Sequence, residues 1–234
     1  MKKITALVVV LAVAMTGIAA FAHGRNSRGG DARVRVVHLS PDAPAVDVRV
    51  DGNVAIPNLA FGQASDYAML DAGVYDIQVT PAGSASPVVI DLSGPNAVNL
   101  LYYKDYTAVA VNTLSHIEPL LLADDNRPAL GFFSRVRFVH ASPDAPAVDI
   151  AVSNGPILWK NVPFKGVGDY VEIPKGQYDL EVRVAGTTTV ALRVPAVQFE
   201  AGRVYTLFAE GFAGGGAPSL GVLKTEDSRF GRGR

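Results

Sequence analysis

Two histidines stand where side-chain chemistry could be done. His38 and His140 each precede one aspartate by four residues (Asp42, Asp144) and a second by nine (Asp47, Asp149). Imidazole with nearby carboxylates is the material of a metal site or a general base. On this reading His38, Asp42, His140 and Asp144 are the candidate metal ligands of a metal-binding protein or metal-assisted hydrolase. The donor set is thin, because a tetrahedral zinc site wants four ligands and the chain has no cysteine. Ser40 is a poor nucleophile candidate, since it runs into Pro41 with no glycine-flanked elbow. The competing reading is structural and carries more weight. Each ring would hydrogen-bond the backbone of the Ser-Pro-Asp corner that follows it, and each corner aspartate would bond its own turn.

Two further groups could bind ligands. Asp124-Asp125-Asn126 and Glu226-Asp227-Ser228 are rich in oxygen. They could hold calcium or another divalent ion, although their spacing is not that of an EF-hand loop and a solvated linker accounts for them as well. Trp159, the only tryptophan, lies beside Lys160 and Asn161, and Tyr102 and Tyr103 are adjacent. These three rings are the candidates for stacking against a carbohydrate or a partner. Tyr75 falls in core phase instead.

These residues must be positioned by β-strands. RVVHLSPDAPAVDVRV at 35–50 returns as RFVHASPDAPAVDIAV at 137–152, with 12 of 16 positions identical. Val34, Val36 and His38 share one strand face, and Arg33, Arg35 and Val37 share the other. Pro41 and Pro44 cannot sit in a ladder and mark a rigid corner. Val46, Val48 and Val50 then alternate with Asp47 and Arg49. If the two strands are neighbours, Arg35–Asp47 and Arg137–Asp149 are expected as exposed cross-strand ion pairs. Tyr75, Ile77 and Val79 predict one half-buried strand over 74–80. Short strands at turn-like spacing, with no long helical period, predict an all-β chain of two tandem antiparallel immunoglobulin-like β-sandwich domains. The expected boundaries are 33–123 and 135–228, joined by a linker over 124–134 and followed by a basic tail over 229–234. Phe132 and Phe133 are expected to pack at the junction and give the two domains a preferred but not rigid orientation.

Ahead of the repeats, Lys2 and Lys3 precede an apolar run from Ile4 to Ile18 and a small-residue cleavage site at Ala20-Phe21-Ala22. This predicts a signal peptide over 1–22, a polar leader over 23–32 and a secreted protein, in the periplasm, at the cell surface or outside the cell, with no membrane span after cleavage. Losing Lys2 and Lys3 takes the net charge from −1 to −3, and no nucleic-acid partner is expected of such a chain. Without cysteine, the exported chain must be held by its cores.

The V-H-x-S-P-D-A-P-x-V-D opening, the later A-G-x-Y strand and the closing D-D-N resemble the bacterial domain-of-unknown-function family 4397, twice over nearly the whole mature chain. The resemblance implies an exported immunoglobulin-like module, often in tandem, with no activity or cofactor assigned. Repeat two departs from the pattern at Glu226-Asp227-Ser228. The expected function is therefore that of a non-enzymatic cell-envelope or extracellular interaction or adhesion module without a cofactor. Its partner would be an envelope polymer, a glycan or a surface protein. The basic segments at either end could also meet anionic polymers or lipid.

Overall fold

The computed structural model describes residues 31–228, so the signal-peptide segment, most of the leader and the basic tail lie outside it. Repeat one comprises β1 (Ala32–His38), β2 (Val46–Val50), β3 (Asn53–Leu59), β4 (Gln63–Ala64), β5 (Ala68–Leu70), β6 (Gly73–Tyr75), β7 (Ile77–Pro81), β8 (Ile90–Leu92), β9 (Val98–Leu100), β10 (Asp105–Val111) and β11 (Glu118–Asp124). Repeat two comprises β12 (Phe133–His140), β13 (Val148–Val152), β14 (Ile157–Val162), β15 (Val171–Pro174), β16 (Gly176–Val184), β17 (Val190–Phe199), β18 (Val204–Glu210) and β19 (Gly221–Glu226).

The protein is all-β, and each repeat builds two main sheets; repeat one adds a two-stranded β6-β9 ladder and pairs β5 with β1. In repeat one, β11-β10-β1-β4 faces β3-β2-β7-β8; in repeat two, β15-β12-β18-β19 faces β14-β13-β16-β17. The ladders are antiparallel with one exception per repeat: β1 runs parallel to β10, and β12 runs parallel to β18. The Ser-Pro-Asp-Ala-Pro corner carries the chain from one sheet to the other. The expected single strand over 74–80 is broken at Asp76. Its first part pairs with β9 and its second with β2 and β8. Repeat two keeps β16 continuous and absorbs the same irregularity as a register shift between Tyr178 and Leu180.

The alternation of β1 serves two cores. Val34 and Val36 pack with Val46, Val48, Ile77 and Val79 inside repeat one. Val37 and Leu39, on the opposite face, pack with Val109, Val111 and Leu122, and with Val139, Ala141 and Phe208 of repeat two. The two inner sheets therefore lie back to back and share a buried layer. The link between the repeats is therefore not the 124–134 connection alone. Phe132 and Phe133 do not pack at the junction either, since they are 73% and 42% exposed; β-strand faces make the contact instead.

The shared layer contains charge. Arg35 donates from Nε to Thr107 of its own repeat, from Nη1 to the Glu226 carbonyl and from Nη2 to Asp227 at 2.5 Å. Arg137 repeats the pattern with Thr206, the Ala123 carbonyl and Asp124. Each arginine thus grips the last strand of the other repeat, and both pairs are buried. The expected Arg35–Asp47 and Arg137–Asp149 pairs do not form, because the two partners lie in different sheets. The equivalent carboxylates are Asp124 and Asp227.

Because the repeats share a buried layer, urea should unfold the chain in one transition; two separated transitions would contradict this packing. Arg35→Met leaves Asp227 buried without its main cation and should cost about 3–5 kcal/mol. Adding Asp227→Leu should recover most of that loss.

Candidate functional site

The histidine corners come first. His38 ends β1 on its inward face and is fully buried. Its Nε2 donates to the Pro44 carbonyl at 3.0 Å, and its Nδ1 accepts from the Ser40 amide at 3.4 Å. His140 does the same with Pro146 and Ser142. Phe61 and Phe164 lie edge-on against the two rings at 6.5 and 6.4 Å. Both ring nitrogens are therefore committed to the backbone of the corner, and an aromatic ring closes each site. Burial lowers the pKa of both imidazoles, against a smaller upward pull from the proline carbonyls.

Asp42 and Asp144 point elsewhere. Asp42 accepts the Leu114 amide at 2.7 Å; Asp144 accepts the Ala213 and Gly214 amides, each at 2.8 Å. Both loops follow the strand that runs parallel to the first strand of the repeat. Burial pushes Asp144 up, but these amides outweigh it and hold the carboxyl below its usual range. The histidine–aspartate convergence that the metal reading requires is thus absent, because each member serves a different backbone segment. Among the described residues, no group of three or more His, Cys, Asp or Glu is placed to hold a metal ion.

Asp47 and Asp149 pin two turns each. Asp47 accepts the amides of Asn58 (2.8 Å) and Gly83 (2.9 Å); Asp149 accepts those of Asn161 (2.6 Å) and Gly186 (3.0 Å). All four donors have positive φ. The two aspartates of each S-P-D-A-P-x-V-D motif are accounted for as acceptors for backbone amides that turns would otherwise leave unsatisfied.

The carboxylates of the oxygen-rich ends are engaged by arginines and hydroxyls, while the buried Asn126 Oδ1 has no hydrogen-bond partner among the described residues. Asp124 is bonded by Arg137, Thr107 and Tyr67. Asp125 is bonded by Arg127 and Arg135, which lower its pKa well below the carboxylate range. Asn126 donates to Asp105. At the other end, Thr206 and Arg35 engage Asp227, and Arg203 engages Glu226. Calcium is not required to neutralise either group, because arginines do so. The two repeats differ in one respect. Tyr67 donates its hydroxyl to Asp124 at 2.6 Å, whereas the buried Tyr170 hydroxyl has no hydrogen-bond partner among the described residues.

The third set of candidates divides. Trp159 is a core residue, 6% exposed, packed against Phe138 and donating Nε1 to the Asp169 carbonyl at 2.8 Å. Gly168 lies so close to the indole that a Cβ there would stand 2.3 Å from its Cδ1. The ring is not available for stacking on a ligand. Tyr102 and Tyr103, by contrast, are 58% and 72% exposed in the loop before β10. Leu101, Met69, Leu130 and Phe132 are exposed as well. Strand register places them at one end of the molecule. Met69 pairs with Arg33 at the start of β1, and Asp105, just after Tyr103, stands opposite Asp124, which leads into the 125–132 connection carrying Leu130 and Phe132. The sequence flagged the tyrosine pair; the rest of this apolar end had no motif to mark it.

Glu210 is a half-buried acid at the contact between the repeats. Its carboxyl lies over Gly62 of the other repeat; one oxygen has no hydrogen-bond partner, and burial pushes its pKa up to about 7. In the folded chain Glu210 therefore favours its neutral form, and its contribution is lost as pH rises from about 4.5 towards 7. The histidines act in the opposite sense. Their folded pKa values lie below the unfolded value, so their contribution is present above about pH 6.5 and is lost on acidification below it. In a Glu210→Gln background, urea midpoints should fall as pH is lowered through 6.5, and a flat profile would contradict buried neutral histidines. Tyr67→Phe should cost about 1–2 kcal/mol, while Tyr170→Phe should stay within about 0.5 kcal/mol of wild type. Equal costs would overturn the asymmetry between the two phenols.

No curated protein sequence matches the chain. Among solved structures, the Bacillus anthracis TIE protein aligns at 13% identity and a TM-score of 0.25, over 78% of this chain; the chain spans 34% of that protein's length. A family 26 carbohydrate-binding module of Eubacterium rectale Amy13K, in complex with maltoheptaose, aligns at 10% identity and a TM-score of 0.25, over 83% of this chain and 97% of that one. The family model is the informative match. It covers residues 32–151 and again 134–234, once for each repeat, and the chain belongs to the family described as domain of unknown function DUF4397.

Proposed function

We propose that this chain is an exported, non-enzymatic interaction protein of the bacterial envelope or extracellular space, and that it meets its partner through the end carrying Tyr102, Tyr103, Leu130 and Phe132. One contrast supports this reading. The polar groups that could have done chemistry are spent on holding turns and joining the repeats, while large apolar side chains stand exposed together at one end. Exposed apolar side chains gathered in this way mark interaction surfaces. The N-terminal pattern of Lys2, Lys3, the apolar run to Ile18 and Ala20-Phe21-Ala22 supports export. No cofactor is part of this reading. No helix among the described residues is long and apolar enough to cross a membrane.

A glycan is the second reading for the partner. It now rests on the adjacent exposure of Tyr102 and Tyr103, without Trp159. The test is expression from the full sequence in a bacterial host, followed by fractionation and mass measurement. The product should begin at His23, lie outside the cytoplasm and be retained by the envelope fraction. Y102S/Y103S/F132S should fold normally and lose most of that retention. An uncleaved cytoplasmic product, or retention indifferent to the three substitutions, would overturn the proposal.

A further inference from the structure

We infer that the partner met by this end is an anionic lipid surface, to which the protein binds peripherally; the inference rests on the reading above. Three observations converge on it.

The first is the chemistry of the exposed side chains. Tyr102, Tyr103 and Phe132 share this end with the exposed aliphatic side chains of Met69, Leu101 and Leu130. A sugar platform sets aromatic faces among hydrogen-bonding groups. Aliphatic tips offer a sugar nothing, but they suit the boundary between lipid headgroups and acyl chains, where Tyr and Phe rings also sit well.

The second is charge. Lys104 follows Tyr103 directly and is exposed, and the Lys175 ammonium lies 5.4 Å from the Phe132 ring centre. Long basic side chains around an apolar tip are the arrangement that lets apolar atoms enter the interface while cations stay at the headgroups. Several acids at this end are already held by arginines: Asp105 by Arg33, Asp125 by Arg127 and Arg135, and Glu200 and Glu226 by Arg203.

The third is where the rest of the chain joins. Asp31 accepts the Tyr103 amide at the start of β1, and Ser228 bonds the Val204 amide at the start of β18. Both outer segments therefore connect at the apolar end. Residues 23–30 carry Arg25 and Arg28, and residues 229–234 carry Arg229, Arg232 and Arg234, with no acid in either stretch. Five arginines joined at one end give an anionic surface a complementary partner, and attraction of this kind is screened by salt.

The experiment is cosedimentation of the mature chain, His23 to Arg234, with vesicles of phosphatidylcholine alone or mixed with phosphatidylglycerol. Partition onto the mixed vesicles should be at least about tenfold stronger, and should weaken at high salt. Y102S/Y103S/F132S, with its thermal midpoint unchanged, should lose at least about tenfold in partition. Undiminished binding by that variant would mean the arginine segments act alone and would overturn the inference. Absence of vesicle binding, with envelope retention still dependent on the three rings, would overturn the lipid assignment and point to a polymer or protein partner. Loss of that dependence as well would instead overturn the broader reading of this end as an interaction surface.

Discussion

The architecture depends on an exchange of buried ion pairs. Arg35 reaches from the first repeat to Asp227 at the end of the second, and Arg137 reaches back to Asp124 at the end of the first. Burial raises the Asp227 carboxyl in spite of Arg35 and Arg137, while Asp227 helps hold the Arg35 proton more tightly. Taking such groups out of water is costly, and the cost is offset only where geometry and additional hydrogen bonds are good. Thr107 and Thr206 supply those bonds, and Tyr67 and Tyr170 lay their rings against the guanidinium groups. An apolar contact alone could slide. A pair of crossed arginines has one register, and the back-to-back packing of the inner sheets follows from it as well as from Val37, Val139 and Phe208.

Against that frame, the repeated motif is a device for satisfying backbone. A chain that leaves one sheet and enters the other through two prolines must turn sharply and bury amides without ladder partners. His38 and His140 brace the corner, Asp42 and Asp144 tie it to a loop on the neighbouring strand, and Asp47 and Asp149 pin the turns of the second sheet. Side chains held this closely are poor catalysts and good fasteners. The same economy applies to the acidic ends, where arginines occupy the carboxylates that a cation could otherwise have taken.

Function is then left to what the fold does not consume. The loops before β10 and before β12 present rings and aliphatic side chains outward at one end, and the basic segments join there. A doubled, cross-linked sandwich is a stiff mount for such loops. Exposed loops of this kind can change composition without cost to the core, and this suits them to be the part of the molecule that meets a partner.

Much of this was legible beforehand, for a physical reason. Alternation at period two, prolines that cannot join a ladder and an internal repeat are local properties, so the sequence by itself determined the all-β character, the twin repeats and the sharp corners. The inward phase of His38 and His140 was legible in the same way. Longer-range facts were not. Arg35 looked solvent-facing because an arginine between valines reads as an outer face, and nothing local says that the outer face of one repeat is the inner face of a pair. Trp159 looked like a ligand contact because its neighbours are Lys160 and Asn161, yet its own phase puts it beside Phe138. Only the tertiary structure decided that Asp124 and Asp227 belong to the opposite repeats' arginines, and that Phe132 stands outward with Tyr103. Those outcomes depend on which sheet faces which, and that is set by the sum of packing across both repeats rather than by any single stretch of chain.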